Sequence, residues 1–229
     1  MSSAPDTFVF FQVSSKDAKE AFDFHLSLSS DEHILPRTHQ EIEQFTADGE
    51  LFGVHKASSG EYVGLCYVHL EGEKHELELG GLTVSDGMRR LHVGSVLASF
   101  ALAHSIANQN PWKYGQEVIA HVHQENQEPR SLLTRIGFEH IGTETLRGDK
   151  APASMKRNEE GNVVGDKFLF PRTKVAQLAD WFDKGFDGTL ADRVTRAIFH
   201  VRPGGVDSLK EALREAASEY RNQGIIHHE

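Results

Sequence analysis

The sequence predicts an α/β protein, a sheet flanked by helices, followed by a C-terminal helical appendage. Two observations predict the first part. Up to about residue 170, runs of β-branched and aromatic residues alternate with apolar stretches at helical spacing. Between Leu51 and Val84, period-two runs follow one another with only short polar connections, the pattern of hairpins. A third observation predicts the appendage: beyond Pro171 the residues group into three stretches of helical spacing, separated by glycine and proline. At 229 residues and 25.5 kDa the chain is long enough for a sizeable core in one or two domains. The expected division is a domain over 1–171 and an extension over 172–229.

Taken in order, Thr7 to Val13 reads as a strand, and Phe8, Phe10 and Phe11 within it as core. Ser14 or Ser15 can cap a helix over Lys16 to Leu28, with Ala18, Ala21, Phe22 and His25 on one side. Asp31 to Arg37 reads as a loop and Thr38 to Ala47 as a short helix ended by Asp48-Gly49. Leu51 to Lys56 and Tyr62 to Leu70 are strands joined through Ala57-Ser58-Ser59-Gly60-Glu61, and Glu76 to Val84 is the next strand. A loop over Ser85 to His92 feeds a helix from Val93 to about Asn108, apolar over most of its circumference and therefore expected to lie buried on the sheet. Glu117 to His123 is a strand, Pro129 to Ile136 a helix, Phe138 to Leu146 a strand, and Arg147 to Asn162 a long polar loop. Val163 to Phe170 is the last expected strand. The extension reads as helices over Lys174 to Phe182, Thr189 to His200 and Asp207 to Tyr220, the last with an apolar stripe of Val206, Leu209, Leu213, Ala216 and Tyr220.

Composition excludes several classes. The 24 basic against 34 acidic side chains leave a net charge of −10, and residues from Arg172 onward carry nine of each sign, so the excess acid lies in 1–171. A protein that holds nucleic acid through phosphates needs a basic face, so no nucleic-acid partner is expected. Cys66, mid-strand between Leu65 and Tyr67, is the single cysteine; it rules out an internal disulfide and a multi-cysteine zinc site, and reads as a small buried thiol in a cytoplasmic protein. Met1 to Asp6 lack a signal-peptide pattern. Val93 to Ala107, interrupted by Gly94, serines and His104, falls short of the roughly 20 apolar residues of a membrane span.

The stretch that carries chemistry runs from Leu79 to Phe138. Arg89-Arg90-Leu91-His92-Val93-Gly94-Ser95 places a glycine-containing turn at a helix N-terminus, where unpaired amides and the positive end of the helix dipole suit a pyrophosphate. This segment resembles the acetyl-CoA-binding signature of the GNAT N-acetyltransferase superfamily, Gln/Arg-x-x-Gly-x-Gly/Ala. Arg89 stands in the first position and Gly94 in the last, with His92 in place of the middle glycine. Asn126-x-x-Pro129-x-x-Leu132-Leu133-x-x-x-Gly137-Phe138 is similar to the family's second signature, Asn-x-x-Ala-x-x-Leu-Tyr-x-x-x-Gly-Phe. With the flanking strands the resemblance covers roughly residues 7 to 170.

The resemblance implies a GNAT-like mixed, mostly antiparallel sheet and transfer of an acetyl group from acetyl-CoA to a primary amine. It implies that the fourth and fifth strands splay apart, that Leu82 and Val84 offer main-chain groups to the pantetheine arm, and that Arg89, Arg90, Leu91, His92, Val93, Gly94 and Ser95 hold the pyrophosphate. Asn126 is implied to sit close to the cofactor. A lysine-like amine is mostly protonated at neutral pH, so the reaction needs a base and a stabiliser for the developing oxyanion. Glu78, six residues before Val84, stands where some GNAT branches carry a glutamate base, and His121 where N-terminal-alanine acetyltransferases carry theirs. His123 falls on the same strand face as His121. Spacing places no third ligand beside this His-x-His pair, so no metal is expected. Leu133 replaces the tyrosine that serves the family as general acid, which leaves Tyr114, Tyr67 or water for that role.

Acceptor pockets in this family come from variable loops, here Ser29 to Thr38 and Arg147 to Asn162. Asp31, Glu32, Glu41 and Glu43 near that entrance point to a cationic acceptor such as a polyamine, amino sugar or peptide amine, by steering alone. A different class of function stays open: a non-catalytic acyl-CoA-binding module whose helical tail docks a partner or forms a homodimer.

Overall fold

The structure, a computed structural model, describes residues 6–28, 32–71, 75–89, 91–147, 149, 151–185, 189–191, 198–201 and 211–218, with the backbone alone for 71, 182–185, 189–191 and 198–201. The strands are β1 (Thr7–Gln12), β2 (Leu51–Lys56), β3 (Tyr62–Glu71), β4 (Glu76–Val84), β5 (Glu117–His123), β6 (Glu139–Leu146), β7 (Val163–Leu169), β8 (Thr189–Ala191) and β9 (Ile198–Val201). The helices are α1 (Ala18–Leu28), α2 (His39–Ala47), α3 (Val93–Gln109), α4 (Gln127–Ile136) and α5 (Val175–Gly185), with a further helical stretch over 211–218. The strands form one sheet in the order β6-β7-β5-β4-β3-β2-β1-β9-β8. Only β4 with β5 and β1 with β9 run parallel; the other pairs are antiparallel. This is the expected mixed, mostly antiparallel sheet.

Period two decides which residues feed which face. Phe8 and Phe10 join the main core with α3 and α5, whereas Phe11 and Val13 join a second core beneath α1 and α2. Phe8, Phe10 and Phe52 are wholly buried, each stabilising the fold by about 1.5–3 kcal/mol. As expected, α3 is buried around most of its circumference, from Val93 through Leu97 and Ala101 to Ile106. Cys66 is fully buried in the main core, and burial pushes its thiol pKa up, so it stays protonated. Among the described residues no helix is long and apolar enough to cross a membrane.

The tail departs from expectation. The stretch Thr189 to His200 contributes strands rather than a helix where it is described, β8 over Thr189–Ala191 and β9 over Ile198–Val201, and β9 adds to the sheet edge beside β1, with Thr7 opposite Ile198 and Phe10 opposite Val201. Its Leu190, Val194 and Ile198 do fit helical spacing. An open edge on β1 offers unpaired backbone groups that a helix cannot satisfy, and the β-branched and aromatic run Ile198-Phe199-His200-Val201 meets them. The first tail helix lies where expected, as α5. Of the last, residues 211–218 are helical, with Leu213 and Ala217 buried in the main core; Val206, Leu209 and Tyr220 lie outside the described residues.

Two features of the sheet create the site. From Leu65 to Tyr67 on β3 the partners on β4 run from Thr83 to Gly80, so β4 carries one extra residue, a bulge absorbed at Gly81 with φ +60°. Glycine is required there, since a Cβ at Gly81 would also fall 2.5 Å from the Tyr67 ring. Secondly, the parallel ladder between β4 and β5 ends at Glu78 opposite Ile119, after which the two strands diverge.

Candidate active site

Two cavities meet in the gap between β4 and β5. The first, about 960 Å³, lies between the end of β4 and the N-termini of α3 and α4. The second, about 550 Å³, lies deeper between β4, β5 and β6, beneath the loops over 32–38 and 151–162. His33, Ile34, Leu82, Thr83, Asn126 and Pro129 line both, so the cavities are continuous.

The first cavity brings together most of the residues expected to hold a cofactor. Leu82, Val84, Arg89, His92, Val93, Gly94, Ser95 and Asn126 all line it. Val93, Gly94 and Ser95 carry the first amides of α3, which have no acceptor within the helix. A Cβ on Gly94 would sit 3.3 Å from Val84 Cγ2 and 3.4 Å from Leu132 Cδ1, so glycine keeps this cradle open. Arg89 is half exposed at the mouth, 3.0 Å from Asp86 and 3.8 Å from Glu128; such pairs are weak enough to be exchanged for a phosphate. Asn126 caps α4 by position, its amide donating to the His123 carbonyl. Leu91 does not belong to this cradle. Its amide donates to the Met88 carbonyl and its side chain packs on the core, because the 3-10 turn over Asp86–Met88 folds it inward. Arg90 lies outside the described residues.

His92 occupies the N-cap of α3 in the left-handed conformation, φ 58° and ψ 10°. The family's glycine is replaced here by a residue that tolerates positive φ better than most. A β-branched residue does not, so His92→Val is expected to lower the unfolding free energy by about 1–2 kcal/mol in a denaturant titration. His92→Gly is expected to leave it unchanged or raise it.

The second cavity holds the expected acid–base residues. His121 on β5, two residues beyond the last rung of the parallel ladder, places Nδ1 3.1 Å from Glu78 Oε1 on β4. Its Nε2 lies 3.4 Å from Glu144 Oε2 on β6, near enough for attraction but off line for a hydrogen bond. The hydrogen bond to Glu78 raises the His121 pKa, Glu144 adds to the rise, and desolvation and Lys167 oppose it. His123 shares the strand face but differs in role. Its Nδ1 accepts from the Glu125 amide and its Nε2 lies 3.1 Å from the Lys156 carbonyl, so both nitrogens hold backbone in place. It ties β5 to the loop over 151–162.

Leu133 is buried and lines this cavity where the family carries its tyrosine. Tyr114 is 66% exposed on the turn after α3 and lines neither cavity, so it is excluded as a substitute. Tyr67 does line the second cavity; its ring packs against Gly80 and Gly81, and burial first, then Glu78, push its phenol pKa up. The acidic entrance expected from the sequence takes another form. Glu41 is bonded to Arg37 and Thr38, Glu43 pairs with His39, Glu32 lies 3.8 Å from Lys156, and Asp31 is outside the described residues. The carboxylates that line the second cavity are Glu78 and Glu144, and it also holds a cation, Arg37. Glu144 and Arg37 were invisible in the sequence. Glu144 sits in a strand exposed along its length, and Arg37 belongs to no motif beyond the capping box that follows it at Thr38 and Glu41.

Fold and matched segment together define the class: the chain has the GNAT fold, that of the GNAT N-acetyltransferase superfamily. More particularly, residues 61–147, from just before β3 to just after β6, match the FR47-like protein family model. A GNAT-family acetyltransferase from Streptococcus pneumoniae superposes with a TM-score of 0.52 at 19% identity, over 71% of this chain and 99% of that one. The ribosomal-protein-S18-alanine N-acetyltransferase of Escherichia coli gives 0.52 at 13%, over 72% and 93%. Arabidopsis thaliana NAA60, solved in complex with a bisubstrate analogue, gives 0.51 at 14%, over 71% and 97%. No curated protein sequence matches the chain.

Proposed function

We propose that the protein is a cytoplasmic acyl-CoA-dependent N-acetyltransferase that moves the acetyl group of acetyl-CoA to a primary amine. One observation carries this reading: the gap between β4 and β5 joins a cofactor-sized cavity at two helix N-termini to a smaller cavity with a Glu78–His121 pair at the divergence. The first cavity suits the donor. The amides of Val93, Gly94 and Ser95 and the side chain of Arg89 face it for a pyrophosphate, and Leu82 and Val84 flank the path inward. Acetyl-CoA supplies an acyl carbon already activated as a thioester. The chain's own part is to hold the amine at that carbon, take its proton through the Glu78–His121 pair, and keep bulk water out. The N–C bond forms as the C–S bond breaks, and the departing thiolate recovers a proton from water or from Tyr67, since Leu133 has none to give.

The experiment is a thermal-shift titration with acetyl-CoA, with CoA and longer acyl-CoAs as comparators, followed by a thiol-release assay against an amine panel. A ligand bound only by the folded state stabilises it by about 2.7 kcal/mol at 100 times its Kd. A saturable shift and amine-dependent thiol release are expected. No shift at millimolar acetyl-CoA overturns the reading. A shift without release from any amine favours the second reading, an acyl-CoA-binding module, for which Leu133 in the tyrosine's place is the specific support.

A further inference from the structure

Arg37 is a built feature of the acceptor cavity that the reaction chemistry leaves unused. It lies between α1 and α2, and its amide donates to Nε2 of the buried His25 at 3.0 Å. The guanidinium lies 4.9 Å from the Tyr67 ring centre and 5.7 Å from that of Phe45. Nη1 donates to Glu41 Oε1 at 2.9 Å and Nη2 donates to the Tyr67 hydroxyl. A guanidinium has five N–H donors. Two are used, Nε has no partner, and the side chain lines the cavity with only 18% of its surface exposed. A desolvated cation with donors to spare is costly to keep, and its single carboxylate partner, Glu41, is itself 40% exposed.

The order of groups along the cavity is informative. The Tyr67 hydroxyl accepts from Arg37 and lies against Gly80, two residues along β4 from Glu78. Glu78 continues to His121, and His121 to Glu144. The lining therefore carries a cation, Arg37, paired with Glu41 outside it, as well as two carboxylates, Glu78 and Glu144. A polyamine would meet repulsion at Arg37, and an amino sugar would offer that fork nothing ionic. A carboxylate presents two oxygens in the geometry a guanidinium matches.

We infer that the acceptor is a free amino acid, its amine directed to Glu78 and His121 and its carboxylate to Arg37. This rests on the acetyltransferase reading above. The test uses the full chain with saturating acetyl-CoA and pairs of L-amino acids and their carboxamides, compared at equal concentrations of free amine by thiol release. The acids are expected to exceed their carboxamides in kcat/KM by about tenfold or more, mostly through KM. Arg37→Gln should bring that ratio close to one, and Arg37→Lys should restore it in part, with the acetyl-CoA thermal shift as the control for folding. Should Arg37→Gln not fold, competitive inhibition of the wild type by the matching carboxylic acids without an amine is the expected second sign. Equal or reversed preference in the wild type overturns the inference, as does a ratio that survives in folded Arg37→Gln or absence of that inhibition. If other amines are acetylated but the amino acids are not preferred, the amino-acid assignment falls alone. If no amine is acetylated although acetyl-CoA shifts the melting temperature, it falls together with the acetyltransferase reading, in favour of the acyl-CoA-binding module. If acetyl-CoA gives no shift, the reading beneath it falls as well.

Discussion

Replacing Glu78 with glutamine, or His121 with alanine, is expected to lower kcat for amine acetylation by about 10²- to 10⁴-fold, with the acetyl-CoA thermal shift retained. The two residues are joined at 3.1 Å and are proposed to accept the proton as one unit, so the double variant should lose little more than the worse single one. Their coupling also sets the pH dependence. The hydrogen bond that His121 donates to Glu78 raises the His121 pKa above its ordinary 6.5, with Glu144 adding and desolvation and Lys167 opposing. A proton held more tightly must be released before the imidazole can accept the amine's. The rising limb of kcat/KM against pH should therefore lie above 6.5, and Glu78→Gln should shift it downward. Stability has the opposite sign. A raised folded-state pKa contributes stability fully below pH 6.5, and that contribution is lost as pH rises through the raised value. Activity limbs of Glu78→Gln and wild type that coincide, with kcat unchanged, would remove the pair from the chemistry.

The second large effect is expected at Gly94. An alanine there has to displace Val84 Cγ2 and Leu132 Cδ1 by a few tenths of an ångström, because the new Cβ would stand 3.3 and 3.4 Å from them. A leucine or tryptophan has to project beyond them into the cavity at the first amides of α3. Acetyl-CoA binding should weaken modestly in Gly94→Ala and vanish from a titration to millimolar ligand in Gly94→Trp. Unfolding in denaturant, read in parallel, separates loss of the cradle from loss of the fold. Undiminished binding by folded Gly94→Trp moves the cofactor away from this turn.

Much of this site was legible because its cofactor half is local. Gly94 and the amides beside it lie within one helical turn, and the second signature ends on Gly137, whose φ of +121° closes α4, and on buried Phe138, which packs on Phe170 at 5.2 Å. Spacing along the chain records such features directly. The acceptor half was only partly legible. Glu78 and His121 could be named singly, but 43 residues separate them, and only the parallel register of β4 and β5 makes them a pair. His123, alike in sequence, is spent on the backbone of a distant loop.

The sequence by itself determined the first seven strands, the helices between them and the glycine turn at α3. Hydrophobic period and helix-end chemistry act over a few residues and are written in consecutive positions. Tertiary structure alone decided that Ile198–Val201 lies as a strand along β1, that Glu144 faces His121, and that Arg37 reaches Tyr67 across 30 residues. Strand propensity is a statement about neighbours, and the identity of a neighbour is settled only when backbone groups on distant segments must find partners.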